Sequence, residues 1–400
     1  MNRQKTVDFY QEAQEHFNDM VAIRRDFHQH PEVGFQEHRT SRIVAQTLTN
    51  LGLEVQTGLG QTGVVGLLEG EEDGPTVLLR FDMDALPINE ANQTDYVSKH
   101  AGVMHACGHD GHMAMGLTLA KIMSKHRPKI KGRLKFVFQP AEEGLGGAFA
   151  MIADGVLNNP KPDVAFAMHL WTPLPLGTVQ VVPGPAMSAS SIFTLTVRGR
   201  GGHGAAPHEA VDPILAAGHI ITALQSIVSR NIDPQESAVI SLGQIIGGRA
   251  HNVIPEEVII RGTVRSYSNE VHHFLYRRIL ETSKSLATAF GCNVSLETIA
   301  IVAAVVNDAA AAHQVQLAAE EVVGVENIIN KREMASEDMG YILEEIPGCY
   351  FFVGARNDEK GFNFPHHHPN FDFDEQAMLD GVTVMATAVS KYVMNGATPQ

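Results

Sequence analysis

Apolar and polar positions alternate along this chain in two rhythms, and the switches between them mark its elements. Near the start the rhythm is helical. Val21–His30 and Thr40–Leu51 read as helices, the second with Ile43, Val44, Thr47, Leu48 and Leu51 on one stripe. On this reading roughly the first 60 residues are helical. Short, nearly all-apolar runs follow at Thr76–Phe81, Leu134–Phe138 and Val164–Met168. Runs of that kind are expected of strands buried on both faces. Between the first two lies a helical stripe, Met115, Leu119, Ile122 and Met123, near Met113–His126. Strands alternating with helices predict an α/β domain with a mostly parallel sheet.

From about Ser190 the pattern changes. Ile192–Val197 reads as a strand and Asp212–Arg230 as a helix, with Asp212 as N-cap and Pro213 at its first position. Strands near Ala238–Ile246 and Glu257–Arg265, a helix at Glu270–Ala289 and a strand at Asn293–Val302 complete the series. The order β-α-β-β-α-β is that of a ferredoxin-like split βαβ sandwich. Helices at Asp308–Val323 and Ser336–Glu345, a strand at Tyr350–Val353 and a last helix at Glu375–Met394 then return to the first pattern.

Composition narrows the picture. Four hundred residues exceed the roughly 250–300 at which one core stops growing, so two domains are expected. The net charge of −15 disfavours nucleic acid and anionic lipid as partners. No signal core opens the chain, and no apolar stretch reaches the ~18 residues of a membrane span. The three cysteines, Cys107, Cys292 and Cys349, are too scattered for a disulfide framework. A reducing cytoplasm is the expected location. Histidine is the unusual entry: there are 20, many in tight clusters.

The chemistry collects behind the strands. Thr76–Phe81 is followed by Asp82 and Asp84, Leu134–Phe138 by Glu142 and Glu143, and Val164–Met168 by His169. Between the first two strands stands HACGHDGH, with His105, Cys107, His109, Asp110 and His112, and after the late strand come His366, His367 and His368. Ligand sites of open α/β sheets lie beyond the carboxyl ends of the strands. Five segments thus deliver carboxylates, imidazoles and a thiol to one edge, where divalent metal neutralises them. Taken singly, a glutamate pair is usually a solvated loop and a histidine after a strand usually a structural one. Taken together they offer more mixed donors than one metal uses, which suits two. Hydrolysis by water activated on such a pair also needs a carboxylate that does not ligate, and either Glu142 or Glu143 can be that base.

Other motifs fail on context. Gly199–Gly204 fits the dinucleotide pattern G-x-G-x-x-G, but Pro207 intervenes before the helix at Asp212. Cys107 beside His105 and His109 resembles a nucleophile–base pair, yet leaves the acidic positions without a role. The H-x-E and P-C-x-x-C of zinc deaminases are both missing.

RFDMDALP (80–87), MHACGHDGH (104–112), QPAEEG (139–144), GGHGAAPH (201–208), HNVIPE (251–256), GTVR (262–265) and HHHPNFDFDE (366–375) together resemble the aminoacylase/carboxypeptidase family of metallopeptidases. The similar branch holds hippurate hydrolases, N-acyl-amino-acid amidohydrolases and auxin-conjugate hydrolases. The resemblance implies Cys107, His109, Glu143, His169 and His367 as ligands of two divalent ions, zinc or manganese, and Glu142 as general base. His367 is chosen for its place before x-Pro; His366 and His368 are the alternatives. Where wider relatives carry His-x-Asp, this chain has Asp82-Met-Asp84, so both aspartates are expected behind the ligands rather than among them. The resemblance further implies that His203 reaches a partner subunit's site, and that Asn252 and Arg265 bind the substrate carboxylate.

The expectation is therefore a catalytic domain at 1–187 and 303–400, interrupted by a lid and dimerisation domain at 188–302. Its activity would be hydrolysis of N-acyl amino acids, in a homodimer whose further assembly is left open. The rivals are a dipeptidase or carboxypeptidase on the same scaffold and, in another class, a binding protein without turnover.

Overall fold

A computed structural model describes residues 7–394, which fall into two compact units. The second unit comprises Met187–Val305 and Glu333–Glu337, and the first takes the described residues on either side.

The first unit is built on an eight-stranded sheet. Its order is Glu54–Leu59, Gly63–Glu69, Lys131–Gln139, Glu72–Asp82, Val164–Pro175, Gly348–Arg356, Val179–Gln180 and Ile328–Ile329. The four strands from Lys131–Gln139 to Gly348–Arg356 are parallel, as their apolar runs predict. The flanking strands add antiparallel pairings around this parallel centre, so the sheet is mixed. Glu54–Leu59 and Gly63–Glu69 form an antiparallel hairpin, and the second of them pairs antiparallel with Lys131–Gln139. The helical reading of roughly the first 60 residues therefore fails from Glu54 onward. The physical reason is position: Glu54–Leu59 is an edge strand, largely exposed, and has no apolar run to announce it.

Helices His109–Lys125 and Gln376–Val393, both almost wholly buried, lie against this sheet. Their core includes Phe81, Phe138, Phe166, Phe351 and Met385. Close approach depends on Gly116, where an added Cβ would stand 2.7 Å from the Phe81 ring. The helix itself starts after Gly108, whose φ of 91° is left-handed, so His109 opens the first turn. Strand Val164–Pro175 is longer than its apolar run, and His169 lies within it rather than beyond its end.

In the second unit, strands Ala238–Gly247, Glu257–Ser266, Ala189–Arg198 and Asn293–Val302 stand in that order, every neighbour antiparallel. Helices Pro213–Asn231 and Asn269–Ala289 pack on the sheet through Ala216, Ile220, Leu224, Leu275 and Ile279. This is the split βαβ arrangement. Asp212 caps the first helix by accepting from the Ile214 amide at 2.8 Å. Residues 333–337 join this unit through a bridge between Met187 and Glu333 and the Ser188 amide, which donates to the Ala335 carbonyl at 3.0 Å. The helix expected from Ser336 accordingly begins only at Met339. No helix among the described residues is long and apolar enough to cross a membrane.

Candidate active site

The parallel strands and the helix opening at His109 bring several of the singled-out residues together in the first unit. One donor atom each from Cys107, His109 and Glu143 lies within 4.8 Å of the others. Cys107 also belongs to a second group of that spacing with His169 and His366, its Sγ standing 3.5 Å from His169 Nε2. His367 Nε2 lies 3.0 Å from Glu143 Oε1. Cys107, His109, Glu143, His169 and His367 are thus linked into one cluster.

The protons on two of these rings can be assigned from their partners. His109 Nδ1 is 2.8 Å from the Asp84 carbonyl, which only accepts, so Nδ1 carries a proton. Its Nε2, wholly buried, has no hydrogen-bond partner among the described residues. His169 repeats the arrangement, with Nδ1 2.6 Å from the Leu170 carbonyl and Nε2 turned toward the Cys107 thiol. A buried, unpartnered nitrogen on a ring steadied through its other nitrogen is how histidines present themselves to metal. With a thiol and a carboxylate in reach, the donor set fits divalent cations.

The other imidazoles are committed differently. His112 Nε2 accepts the Leu170 amide at 2.9 Å, which puts the ring proton on Nδ1, 2.6 Å from Asp82 Oδ1. His112 therefore lies among the donors but has no lone pair to give. His105 is fully buried with both nitrogens unpartnered, and burial pushes its pKa down to about 4. His366 Nε2 is 3.0 Å from the Leu170 carbonyl, and His368 Nδ1 accepts from the Asn370 amide at 3.0 Å.

Carboxylates set the field. Asp82 Oδ2 accepts from Arg80 at 2.7 Å and lies 3.8 Å from His109 Nε2. Asp84 holds both the His109 ring, through its carbonyl, and the Glu143 amide, through Oδ2 at 3.0 Å. Burial disfavours charge on His109, yet Asp82 and Asp84 push its pKa up to about 10. Burial, together with Glu143 and Glu142, pushes the Cys107 thiol up as well. The pocket attracts positive charge. Glu142 Oε2 stands 4.0 Å from His109 Nε2, and its side chain is about one-tenth exposed.

The remaining singled-out residues belong to the second unit. His203 pairs with Val253 on two short strands, and the Gly204 amide donates to the Asn252 carbonyl at 2.8 Å, so His203 and Asn252 are neighbours. Arg265 sits on the four-stranded sheet, half-buried, donating to the Met334 carbonyl at 2.9 Å. Desolvation lowers its pKa. Arg24, Glu37 and Asp338, all buried and all bonded to this machinery, carry no signal in the sequence pattern; their contacts are described below.

Fold and donor cluster together define an α/β protein with a candidate metal centre, and its relatives say of which family. The profile of peptidase family M20/M25/M40 matches residues 78–391. The chain is 37% identical over 360 residues to the N-acetyl-L-cysteine deacetylase of Bacillus subtilis, spanning 90% of this chain and 85% of the relative. It is 37% identical over 377 residues to thermostable carboxypeptidase 2 of Saccharolobus solfataricus, spanning 93% and 95%. The crystal structure of the Bacillus subtilis YXEP protein, a dinuclear metal binding peptidase of the M20 family, matches with a TM-score of 0.81 at 31% identity, over 94% of this chain and 98% of that one. The chain belongs to peptidase family M20/M25/M40, and it is a hydrolase acting on carbon–nitrogen bonds.

Proposed function

We propose that the chain cleaves the amide bond of N-acyl amino acids, releasing a carboxylic acid and a free amino acid. Two divalent cations, zinc or manganese, would be held by Cys107, His109, Glu143, His169 and His367. One observation carries the reading: His109 and His169, from separate segments, both commit Nδ1 to a carbonyl and keep Nε2 for the cluster around Cys107. Cations held there would supply a Lewis acid that acidifies water and polarises a carbonyl. Glu142, outside the donor set, takes the water's proton and passes it to the leaving nitrogen. Asp82 and Asp84 stand behind the ligands and fix ring orientation.

In this reading 1–187 and 303–400 form the catalytic domain and 188–302 the lid and dimerisation domain. Asn252 and Arg265 bind the substrate's carboxylate, for which a guanidinium fork is suited. His203 serves the partner subunit's site by polarising the carbonyl. The homodimer is supported by Ala238–Gly247, an edge strand with Ile245 and Ile246 about half exposed, since an unpaired apolar edge invites a second chain. A cytoplasmic location accords with three buried, unpaired cysteines.

The deacetylase relative supports an N-acyl amino acid as substrate, and the carboxypeptidase relative keeps a peptide substrate as the rival. A panel of N-acetyl and N-benzoyl amino acids against free dipeptides separates them; preference for dipeptides overturns the proposal. In Glu142→Gln, bound metal should persist while hydrolysis falls by roughly 10²–10⁴. Unchanged hydrolysis removes Glu142 from the mechanism.

A further inference from the structure

The loop that carries Glu142 and Glu143 connects strand Lys131–Gln139 to helix Gly147–Ala153 and is bent hard. Ala141 is not glycine, yet its φ is 53°; Gly144 and Gly146 follow at 75° and 79°. A non-glycine residue in the left-handed region persists only where its surroundings over-determine it. The tip is open, with Leu145 57% exposed, whereas Ala141 itself is fully buried. At each end of the loop a backbone amide is bonded to a carboxylate from a distant part of the chain.

At the entry, the Ala141 amide donates to Glu37 Oε1 at 3.0 Å, across 104 residues. Glu37 is wholly buried, and its other oxygen accepts the Thr62 hydroxyl. At the exit, the Ala148 amide donates to Asp338 Oδ2 at 2.9 Å, across 190 residues. Asp338, 2% exposed, also accepts from Gln139 Nε2 at 2.8 Å and from Arg80 Nη2 at 2.9 Å. Arg80 in turn donates through Nη1 to Asp82, the carboxylate beside His109 and His112. One arginine therefore ties the loop's exit to the other half of the cluster. Charge-assisted bonds of this kind are shorter and stronger than neutral ones.

We propose that Glu37 and Asp338 are positioning residues that clamp the Glu142–Glu143 loop at its entry and exit. They set where Glu142 and Glu143 stand relative to Cys107 and His109, and neither touches substrate. The proposal rests on the roles of Glu142 and Glu143 given above. Displacement of reacting groups by about 1 Å is enough to cost about 100-fold in rate.

The test compares Glu37→Ala, Glu37→Gln, Asp338→Ala and Asp338→Asn with the unaltered protein, full length throughout. Hydrogen–deuterium exchange follows peptides over 140–148 against the strands Lys131–Gln139 and Gly348–Arg356. Calorimetric titration with manganese reads metal affinity, and kcat and KM are measured on an N-acetyl amino acid. Both alanine variants should speed exchange in 140–148 alone, and weaken manganese binding and kcat by about 10–100-fold. KM should stay within about threefold. Glu37→Gln keeps the side chain's volume and an acceptor for the Ala141 amide and should recover most of what Glu37→Ala loses, which a requirement for charge does not explain.

Exchange and manganese affinity unchanged in both alanine variants overturns the clamp, as does faster exchange across the whole sheet. Should Asp338→Ala fail to fold, the two Glu37 variants and Asp338→Asn decide. If the unaltered protein binds manganese but hydrolyses no N-acyl amino acid, the proposed activity fails while exchange and titration still judge the clamp.

Discussion

Nε of Arg24 donates to Oδ2 of Asp110 at 2.7 Å, with both side chains wholly buried. Asp110 follows His109 in the first turn of helix His109–Lys125. The other arms of the same guanidinium reach Asp372 at 2.6 Å and Glu375 at 3.2 Å, just beyond the late histidines. Tyr96 and Phe373 lie against its faces, 4.8 and 4.4 Å from ring centroid to guanidinium carbon. A single cation so fastens the segment carrying Cys107 and His109 to the segment carrying His367.

Removing that cation strips the buried Asp110 and Asp372 of their guanidinium bonds, leaving Asp110 to His28 and Asp372 to the Tyr96 hydroxyl. Arg24→Met should cost about 3–5 kcal/mol of stability, read from the midpoint of chemical denaturation. Adding Asp110→Asn should return part of the loss, because the two residues share one network. A loss below about 1 kcal/mol in the single variant would mean that the carboxylates find water or shed their charge, contrary to this account.

His28 hangs on the same aspartate, with Nδ1 2.8 Å from Asp110 Oδ2 and Nε2 3.1 Å from Glu90 Oε1. Burial works against its charge, but Asp110 and Glu90 outweigh burial and push the pKa up to about 9. The folded value stands above the unfolded one of ~6.5. Its contribution to stability is therefore fully present below pH ~6.5 and is lost as pH rises through about 9. Melting temperature measured across that window should fall more steeply in the unaltered protein than in His28→Gln. Parallel curves would show that His28 carries no charge in the folded chain.

The network explains why part of the site was legible in the sequence and part was not. Cys107, His109, Glu143 and His169 follow or flank apolar runs, and the runs say where strands lie even without knowledge of their pairing, though Val164–Pro175 continues past its run and His169. Arg24 offers no such clue: it stands beside Arg25 in a helix whose pattern permits either to face water, and only packing decides that Arg24 is buried while Arg25 is partly exposed. Glu37 and Asp338 bond to backbone amides 104 and 190 residues away, a relation that no local period records. His112 shows a subtler limit. Its type and spacing match a ligand, and only the Leu170 amide reveals that its lone pair is taken. Of the hairpin Glu54–Glu69, the outer strand faces solvent and carries no apolar run, whereas Gly63–Glu69 is apolar and buried, a run legible as a strand.

Two glycines separate backbone strain from helix propensity. An added Cβ at Gly147 would stand 1.6 Å from the Pro140 carbonyl oxygen, which is backbone and cannot swing aside. Gly147→Ala should displace the loop bearing Glu142 and Glu143, cost about 1–3 kcal/mol and lower hydrolysis by about 100-fold. Gly218, in helix Pro213–Asn231, meets nothing within 4 Å. Gly218→Ala should stabilise by up to about 1 kcal/mol and leave the rate alone. Thermal melts with matched rate measurements check both, and a stable, fully active Gly147→Ala would refute the first.

The three late histidines give the sharpest test of the donor set. His366 donates from Nε2 to the Leu170 carbonyl, its ring stacks on Trp171 with centroids 4.5 Å apart, and burial pushes its pKa down to about 3. His368 stacks on Phe364 and accepts from the Asn370 amide. His367 differs from both. Its own amide donates to the Ala106 carbonyl at 2.8 Å, its φ of 65° turns the side chain out of the regular path, and Nε2 ends 3.0 Å from Glu143. His367→Ala should weaken metal binding at least about tenfold. Its stability should move by no more than about 0.5 kcal/mol, because the side chain is half exposed. His366→Ala should show the reverse, losing about 1–3 kcal/mol through a vacated stack while keeping its metal. Metal content after dialysis, read beside thermal melts, distinguishes the two. If His366→Ala sheds metal and His367→Ala retains it, the ligand is His366, which also brings a ring nitrogen within 4.8 Å of Cys107 and His169.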